Sequence, residues 1–366
     1  MRIGIDHGPA SRHAPGVGRY ARELVAALAQ QDGDHSLHLL DVGLQRRRVR
    51  GLGLERPRCK VVRRRVPIPR RWLGAGGCPG SDVLAGGVDL FHHVLTDRAP
   101  VTRALQTLTL SEVPAPGTPA AGKLARSLVG LDGVLVFSEA AARDVRAGLD
   151  VAPERVHVVP VGCDHWRRAF DGEPLPDEPP TLLVLGKPRA ARHPLTILAA
   201  WRLLRSRGVR CRLRFVGSAG EEDGAFARAV HEEDDVTHDL PEESELPEVM
   251  ARSTLLVHLS DAEATAVTPL EAFSFGAGVV GSALPAFVEA LDGEARLVDT
   301  AAVDDDPEQL ADELAAALED AACPDARARR QAVAARFTWD HNARATLAVW
   351  QAVLDGGVNG KASGGH

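Results

Sequence analysis

Short apolar runs of strand length recur along this chain and dictate its architecture. They fall at 2–6, 37–43, 59–64, 88–94, 105–110, 133–138 and 156–162, then at 181–186, 212–217, 235–240, 254–260, 278–282 and 295–299. Many gaps carry apolar residues every three to four positions, as in Tyr20-Ala-Arg-Glu-Leu-Val-Ala-Ala-Leu28 and from Leu195 to Leu204. Such alternation predicts parallel sheets covered on both faces, because each crossover helix buries its apolar stripe against the sheet. A length of 366 residues is too great for one ordinary core and comfortable for two.

Asp171-Gly-Glu-Pro-Leu-Pro-Asp-Glu-Pro-Pro180 is acidic and holds four prolines, so it cannot continue a sheet and is read as an interdomain linker. A new strand, Thr181-Leu-Leu-Val-Leu-Gly186, begins directly after it. The expected fold is α/β, with two Rossmann-like doubly wound domains facing across a cleft, over 1–170 and 171–339. The glycine-rich stretch 356–366 is expected to be a disordered tail.

No run approaches the ~18–20 apolar residues of a membrane span. The start, Met1-Arg-Ile-Gly-Ile-Asp6, is a strand pattern and not a signal peptide, which predicts a cytoplasmic protein. Cys59, Cys78, Cys163, Cys211 and Cys323 are scattered without paired spacing, as reduced thiols would be. The first 165 residues carry a formal charge of +7 and the remainder −14. The basic excess lies in Arg46-Arg-Arg-Val-Arg50 and from Arg56 to Arg71, including Arg63, Arg64 and Arg65. That patch is either a surface for anionic lipid or a phosphorylated acceptor, with attachment to the inner membrane face, or a solvated loop. Nucleic acid fits poorly, since few aromatics interleave with the charges.

Chemistry concentrates after the strands. Glu263-Ala-Thr-Ala-Val-Thr-Pro-Leu-Glu271 follows the run Thr254-Leu-Leu-Val-His-Leu-Ser260 and leads into a helix. A loop carboxylate such as Glu263 accepts hydrogen bonds from sugar hydroxyls, and one on the first turns, Glu271, can hold a ribose. The alternative is a solvated loop Glu and a helix N-terminal Glu favoured by the macrodipole. Gly186-Lys-Pro-Arg-Ala-Ala-Arg-His-Pro194 sets Lys187, Arg189 and Arg192 beside the second domain's first strand, where cations neutralise a leaving diphosphate. Phe215-Val-Gly-Ser218 ends a strand on Gly217 and Ser218, for close approach of a base or phosphate, or as a plain turn.

In the first domain, Gly16-Val-Gly18-Arg-Tyr-Ala21 resembles a dinucleotide fingerprint but lies about ten residues past its strand, too far for one. A helix start whose glycines admit a phosphate or an acceptor fits better, beside the alternative of a flexible loop. His92 and His93 end the strand 88–94. Adjacent strand residues point to opposite faces, so one of the pair, His92, is the acceptor-side candidate and the other structural. Asp304-Asp-Asp306 precedes Pro307 and an amphipathic run, which reads as a helix cap and not a metal site.

The ordered set resembles the family 4 glycosyltransferases, retaining enzymes of GT-B fold, over nearly the whole chain. Gly16 to Leu24 resembles their first loop and helix. Phe137-Ser-Glu-Ala-Ala-Ala-Arg-Asp144 and Pro153 to Asp164 resemble the end of their first domain. Glu263 to Glu271 resembles their paired-glutamate element, and Glu289 to Asp299 with Arg336-Phe-Thr-Trp339 their closing segments. The resemblance implies that a helix over about 340–355 rejoins the first domain. It implies a GDP- or UDP-linked sugar with Glu271 on the ribose, Lys187 and Arg192 at the diphosphate, and Gly217 and Ser218 nearby. Glu263 and the backbone of Thr265, Ala266, Val267 and Thr268 would hold the sugar. No metal or other cofactor is implied. Gly16, Gly18, His92 and Ser111 fall on the acceptor side, with Glu112 keeping a carboxylate there.

Three departures bear on activity. Ala264-Thr-Ala-Val-Thr268 stands where relatives have Gly-Phe-Gly-Leu-Pro, Ser111-Glu112 where many have His-Asp, and Gly276-Ala-Gly278 where they have Gly-Thr-Pro. A hexosyl transfer to a glycan, lipid or natural product is therefore one reading. A catalytically degenerate protein that binds a nucleotide sugar or scaffolds a partner enzyme is another. A sugar-nucleotide epimerase or nicotinamide oxidoreductase is a third.

Overall fold

The computed structural model describes residues 1–12, 16–44, 54, 56–74, 78–114, 117–219 and 223–362. The chain forms two compact units, Met1–Val161 joined by the helix Trp339–Ala362, and Gly162–Thr338. The division falls at Val161, ahead of the expected linker. Asp171–Pro180 belongs to the second unit: Arg327 donates to the Pro174 carbonyl at 2.8 Å, and the Asp177 amide donates to the Arg252 carbonyl at 2.9 Å. Prolines bar it from the sheet, but its carbonyls still accept hydrogen bonds, so it lies against its own unit. The final helix is described to Ala362, within the stretch 356–366 expected to be a disordered tail, and residues 363–366 lie outside the described residues.

The first unit has seven strands: β1 (Arg2–Asp6), β2 (Ser36–Val42), β3 (Lys60–Val66), β4 (Leu90–His93), β5 (Leu105–Thr109), β6 (Gly133–Val136) and β7 (Val156–Val158). They pair in parallel in the order β3-β2-β1-β4-β5-β6-β7. Ile3, Ile5, Leu37, Leu90, Phe91, Leu108 and Val134 are fully buried, as strands covered on both faces demand. Trp339 and Trp350 of the last helix are buried in this unit, and the Asn342 amide donates to the Pro160 carbonyl at 2.7 Å.

The second unit has six: β8 (Thr181–Leu185), β9 (Arg212–Val216), β10 (Val236–Asp239), β11 (Leu255–His258), β12 (Gly278–Ser282) and β13 (Arg296–Val298). Their order is β10-β9-β8-β11-β12-β13, again parallel. In both sheets the order of strands reverses beside the first strand, between β1 and β4 and between β8 and β11. At such a switch point the outgoing chains diverge to opposite faces and leave a crevice at the carboxyl ends of the strands. Each unit is thus a doubly wound α/β fold.

Candidate active site

In the second unit, the loops after β8 and β11 meet at the switch point. Gly186 ends β8 at φ 126°, a conformation that L side chains resist. Gly217, which ends β9, must also be glycine. A Cβ there would lie 2.6 Å from the Gly186 carbonyl carbon and 3.0 Å from the Lys187 amide nitrogen. This close approach of two backbones fixes where Lys187 leaves the sheet. Lys187 and Ser218 are exposed at the rim.

Beyond Lys187 a short turn, Ala190–Arg192, ends at His193, whose φ of 49° is left-handed. Pro194 then opens the helix Pro194–Ser206 with its ring at a position needing no N–H partner. Arg192 reaches the β11 side: its Nη2 lies 2.7 Å from Glu263 Oε1, and its Nη1 lies 2.7 Å from Nε2 of His258. His193 fastens the same two loops, with Nε2 2.8 Å from Asp261 Oδ1 and Nδ1 2.6 Å from Asp304 Oδ2. The Asp261 amide donates to the Ala191 carbonyl at 3.2 Å, and Ser282 of β12 accepts from the Ser260 amide at 2.7 Å. The cationic and acidic loops are therefore one assembly. Lys187, Arg192 and His258 line a recess between them.

Burial opposes ionisation of Glu263, but His258 and the Arg192 charge more than offset it, so its pKa is lowered and the carboxylate stays charged. Burial pushes the pKa of His258 down, and Arg192 adds to this against the pull of Glu263, so the imidazole stays neutral.

The helix Val267–Ser274 begins after Ala266, which is buried at its N-cap, while Thr265, Val267 and Thr268 are half-buried. Glu271 lies deeper, 1% exposed, with Oε1 3.3 Å from Nε2 of His165 on the short helix His165–Arg168. Asp306 caps the helix Pro307–Ala321 by accepting from the Glu308 amide at 3.1 Å, whereas Asp304 is engaged by His193. Among the described residues no group of His, Cys, Asp and Glu comes together as a metal site.

In the first unit, Gly16 has φ 64° and precedes the helix Val17–Ala29, inside which Gly18 is buried. Part of the loop before it, 13–15, lies outside the described residues, as do Arg46, Arg47, Arg48 and Arg50. Ser111 and Glu112 are exposed just past β5. His92 is not at a ligand-facing surface. It is fully buried, with Nδ1 3.0 Å from Thr107 Oγ1 and its ring 5.1 Å from that of Trp350. Its face of β4 is covered by the last helix, an element too distant in sequence for the strand pattern to reveal. His93, on the opposite face, lies within electrostatic reach of Asp6 and Arg70, which pair at 2.7 Å. Arg63, Arg64 and Arg65 lie on the edge strand β3 and alternate between its faces. Arg63 lies within electrostatic reach of His7, and the Arg64 guanidinium packs over Gly86. The expected single patch is thus divided.

Residues 167–336 match the family described as glycosyl transferases group 1. That match spans most of the second unit. Whole-chain likeness of fold agrees. A glycosyltransferase of Rickettsia africae superposes with a TM-score of 0.66 at 14% identity, covering 96% of this chain and 98% of that one. HepE of Anabaena, solved with UDP and glucose, gives 0.65 at 14% identity, covering 95% and 99%. Sucrose-phosphate synthase of Thermosynechococcus elongatus gives 0.63 at 18%, covering 100% of both chains. No curated protein matches the sequence. Each Rossmann-like unit has the fold seen in these GT-B glycosyltransferases.

Within the second unit, the structure brings Arg192 and Glu263 into contact, sets Lys187 with Arg192 along one recess, and packs Gly217 against the backbone of Gly186 and Lys187. It gives Glu271 a partner, His165, that sequence reading missed. His258 and His193 were also missed. The available signal for His258 was an imidazole inside an otherwise apolar run, Leu255 to Leu259.

Proposed function

We propose that the chain is a retaining glycosyltransferase of the family 4 type. It moves a hexose from a UDP- or GDP-linked sugar to a glycan, lipid or natural-product acceptor. The observation that carries this reading is the junction of Lys187, Arg192 and Glu263 at the β8–β11 crevice of a group 1 domain. The UDP and glucose in HepE support a donor of this class.

In the proposed reaction the bond from the sugar's anomeric carbon to the diphosphate oxygen breaks, and the acceptor oxygen bonds to that carbon on the same face. The acceptor's proton passes to the departing phosphate. Lys187 and Arg192 stabilise the charge gathering on the diphosphate, as pre-placed cations do in a partly dry site, with no metal called for. Glu263 and the backbone from Thr265 to Thr268 orient the sugar. Glu271 holds the ribose, and Gly217 with Ser218 admits the nucleotide. Gly16, Gly18, Ser111 and Glu112 form the acceptor side.

One observation favours a second reading. Glu271 is buried against His165, and Ala266 places a buried methyl at the helix start. A pocket closed in this way fits a catalytically degenerate member that serves a partner enzyme. Titration of the wild type and Glu271→Ala with UDP, GDP and ADP, with and without EDTA, separates the two. Selective binding of one nucleotide, indifferent to EDTA and weakened in the variant, supports the donor site. Transfer from the matching sugar nucleotide then supports the enzyme. Absence of binding to all three turns the balance to the degenerate reading.

A further inference from the structure

β11 is apolar at Leu255, Leu256 and Val257, all fully buried, and the next apolar residue, Leu259, is buried as well. His258 interrupts this run while only 5% exposed, with its ring 5.6 Å from that of Phe287. A guanidinium carries donors only, so the 2.7 Å contact with Arg192 Nη1 requires a lone pair on His258 Nε2. The ring proton then sits on Nδ1, which is buried and has no hydrogen-bond partner among the described residues. A buried unmet donor costs stability. A leucine at this position would remove that cost, so folding does not explain the imidazole.

We propose that His258 is a positioning residue that holds Arg192 for the donor's diphosphate. Arginine beside a lone carboxylate closes onto it with two parallel bonds, which neutralises the cation and occupies both carboxylate oxygens. Here His258 meets one guanidinium nitrogen at hydrogen-bond distance and the Glu263 carboxylate lies against the other as an ion pair, so the group is held from two sides. Glu263 Oε1 lies 3.6 Å from His258 Nε2, against 2.7 Å for Arg192 Nη1, so the close contact of the imidazole is with Arg192 and the carboxylate is only within its electrostatic reach. A neutral acceptor adds this second hold without placing a second negative charge beside Arg192.

The inference rests on the donor-site reading above, and the test separates the two. UDP and GDP are titrated calorimetrically into the wild type, His258→Leu, His258→Gln, Arg192→Ala and the double variant His258→Leu/Arg192→Ala, with urea midpoints recorded for each. His258→Leu should equal or exceed the wild type in stability yet bind about ten-fold more weakly, the scale of a lost charge-assisted bond. His258→Gln, which keeps an acceptor, should restore affinity to within about three-fold of the wild type. The leucine effect should vanish in the Arg192→Ala background, a coupling that a merely structural residue would not show. Unchanged affinity in His258→Leu, or a loss additive with Arg192→Ala, overturns the inference and leaves the donor site standing. A wild type that binds neither nucleotide overturns the donor site first, and the role of His258 with it.

Discussion

Arg192 reaches Glu263 across two loops, Nη2 to Oε1, at 2.7 Å, and so joins the chain leaving β8 to the chain leaving β11. The same guanidinium touches His258, so its shape matters as well as its charge. Lysine keeps the charge but is a point donor on a flexible stem and cannot span both partners. Arg192→Lys should therefore weaken UDP or GDP binding about ten-fold, despite an unchanged net charge. Calorimetry checks this, and equal affinity in the two proteins would show that charge alone suffices.

Gly217 acts on the recess through Gly186 and Lys187, whose backbone it closely approaches. The methyl of Gly217→Ala would sit 2.6 Å from the Gly186 carbonyl carbon, and backbone atoms cannot swing aside as a side-chain tip can. The variant should lose about 1–3 kcal/mol of stability and displace Lys187, lowering nucleotide affinity as well. Gly224→Ala supplies the control. Its methyl would meet only the tips of Arg228 at 3.9 Å, and alanine suits a helix better than glycine. Urea melts of the two variants should move in opposite directions.

How much of this was legible beforehand follows from the range of each interaction. Among the described residues the strands lie near the expected runs, and for the inner ones the reason is that burial on both faces is written into consecutive apolar residues, whereas the edge strands β3 and β10 are largely polar and open to solvent. The Lys187–Arg192 loop and Glu263 were legible for the same reason, as short segments following strands. What escaped depends on partners far apart in sequence. His193 meets Asp304 from 111 positions away, and His92 is buried by Trp350 on the last helix. The linker failed differently. Prolines forbid sheet pairing but do not forbid docking, and Asp171–Pro180 is docked through its carbonyl and amide groups.

Acid should weaken the first unit. Burial, the largest cause in each case, lowers His7 to about 4, His92 to about 3 and His93 to about 4, from an ordinary value of 6.5. Between those values and 6.5 the unfolded chain binds protons that the folded unit refuses. Stability contributed by neutrality is thus complete above about pH 6.5 and falls as pH drops toward 4, with a slope approaching three protons. Urea midpoints from pH 7 to 4.5 measure the slope, and His93→Gln should make it shallower by about one proton. A flat profile over that window would falsify the burial account.

The arginines of β3 make a prediction about surfaces. Among the described residues no helix is long and apolar enough to cross a membrane, so any lipid contact through this strand would be electrostatic. Arg63 and Arg65 share one face of β3 and Arg64 takes the other, against Gly86. A planar anionic surface can meet only one of these faces at a time. If the strand engages lipid, the paired arginines should carry the attraction, each worth about 1 kcal/mol near such a surface. Arg63→Glu with Arg65→Glu should then abolish sedimentation with phosphatidylglycerol vesicles, whereas Arg64→Glu should leave most of it. Equal loss in both variants would point to a diffuse field and not to a face. A wild type that stays in the supernatant would remove lipid from the account of this strand and leave a phosphorylated acceptor as its candidate ligand.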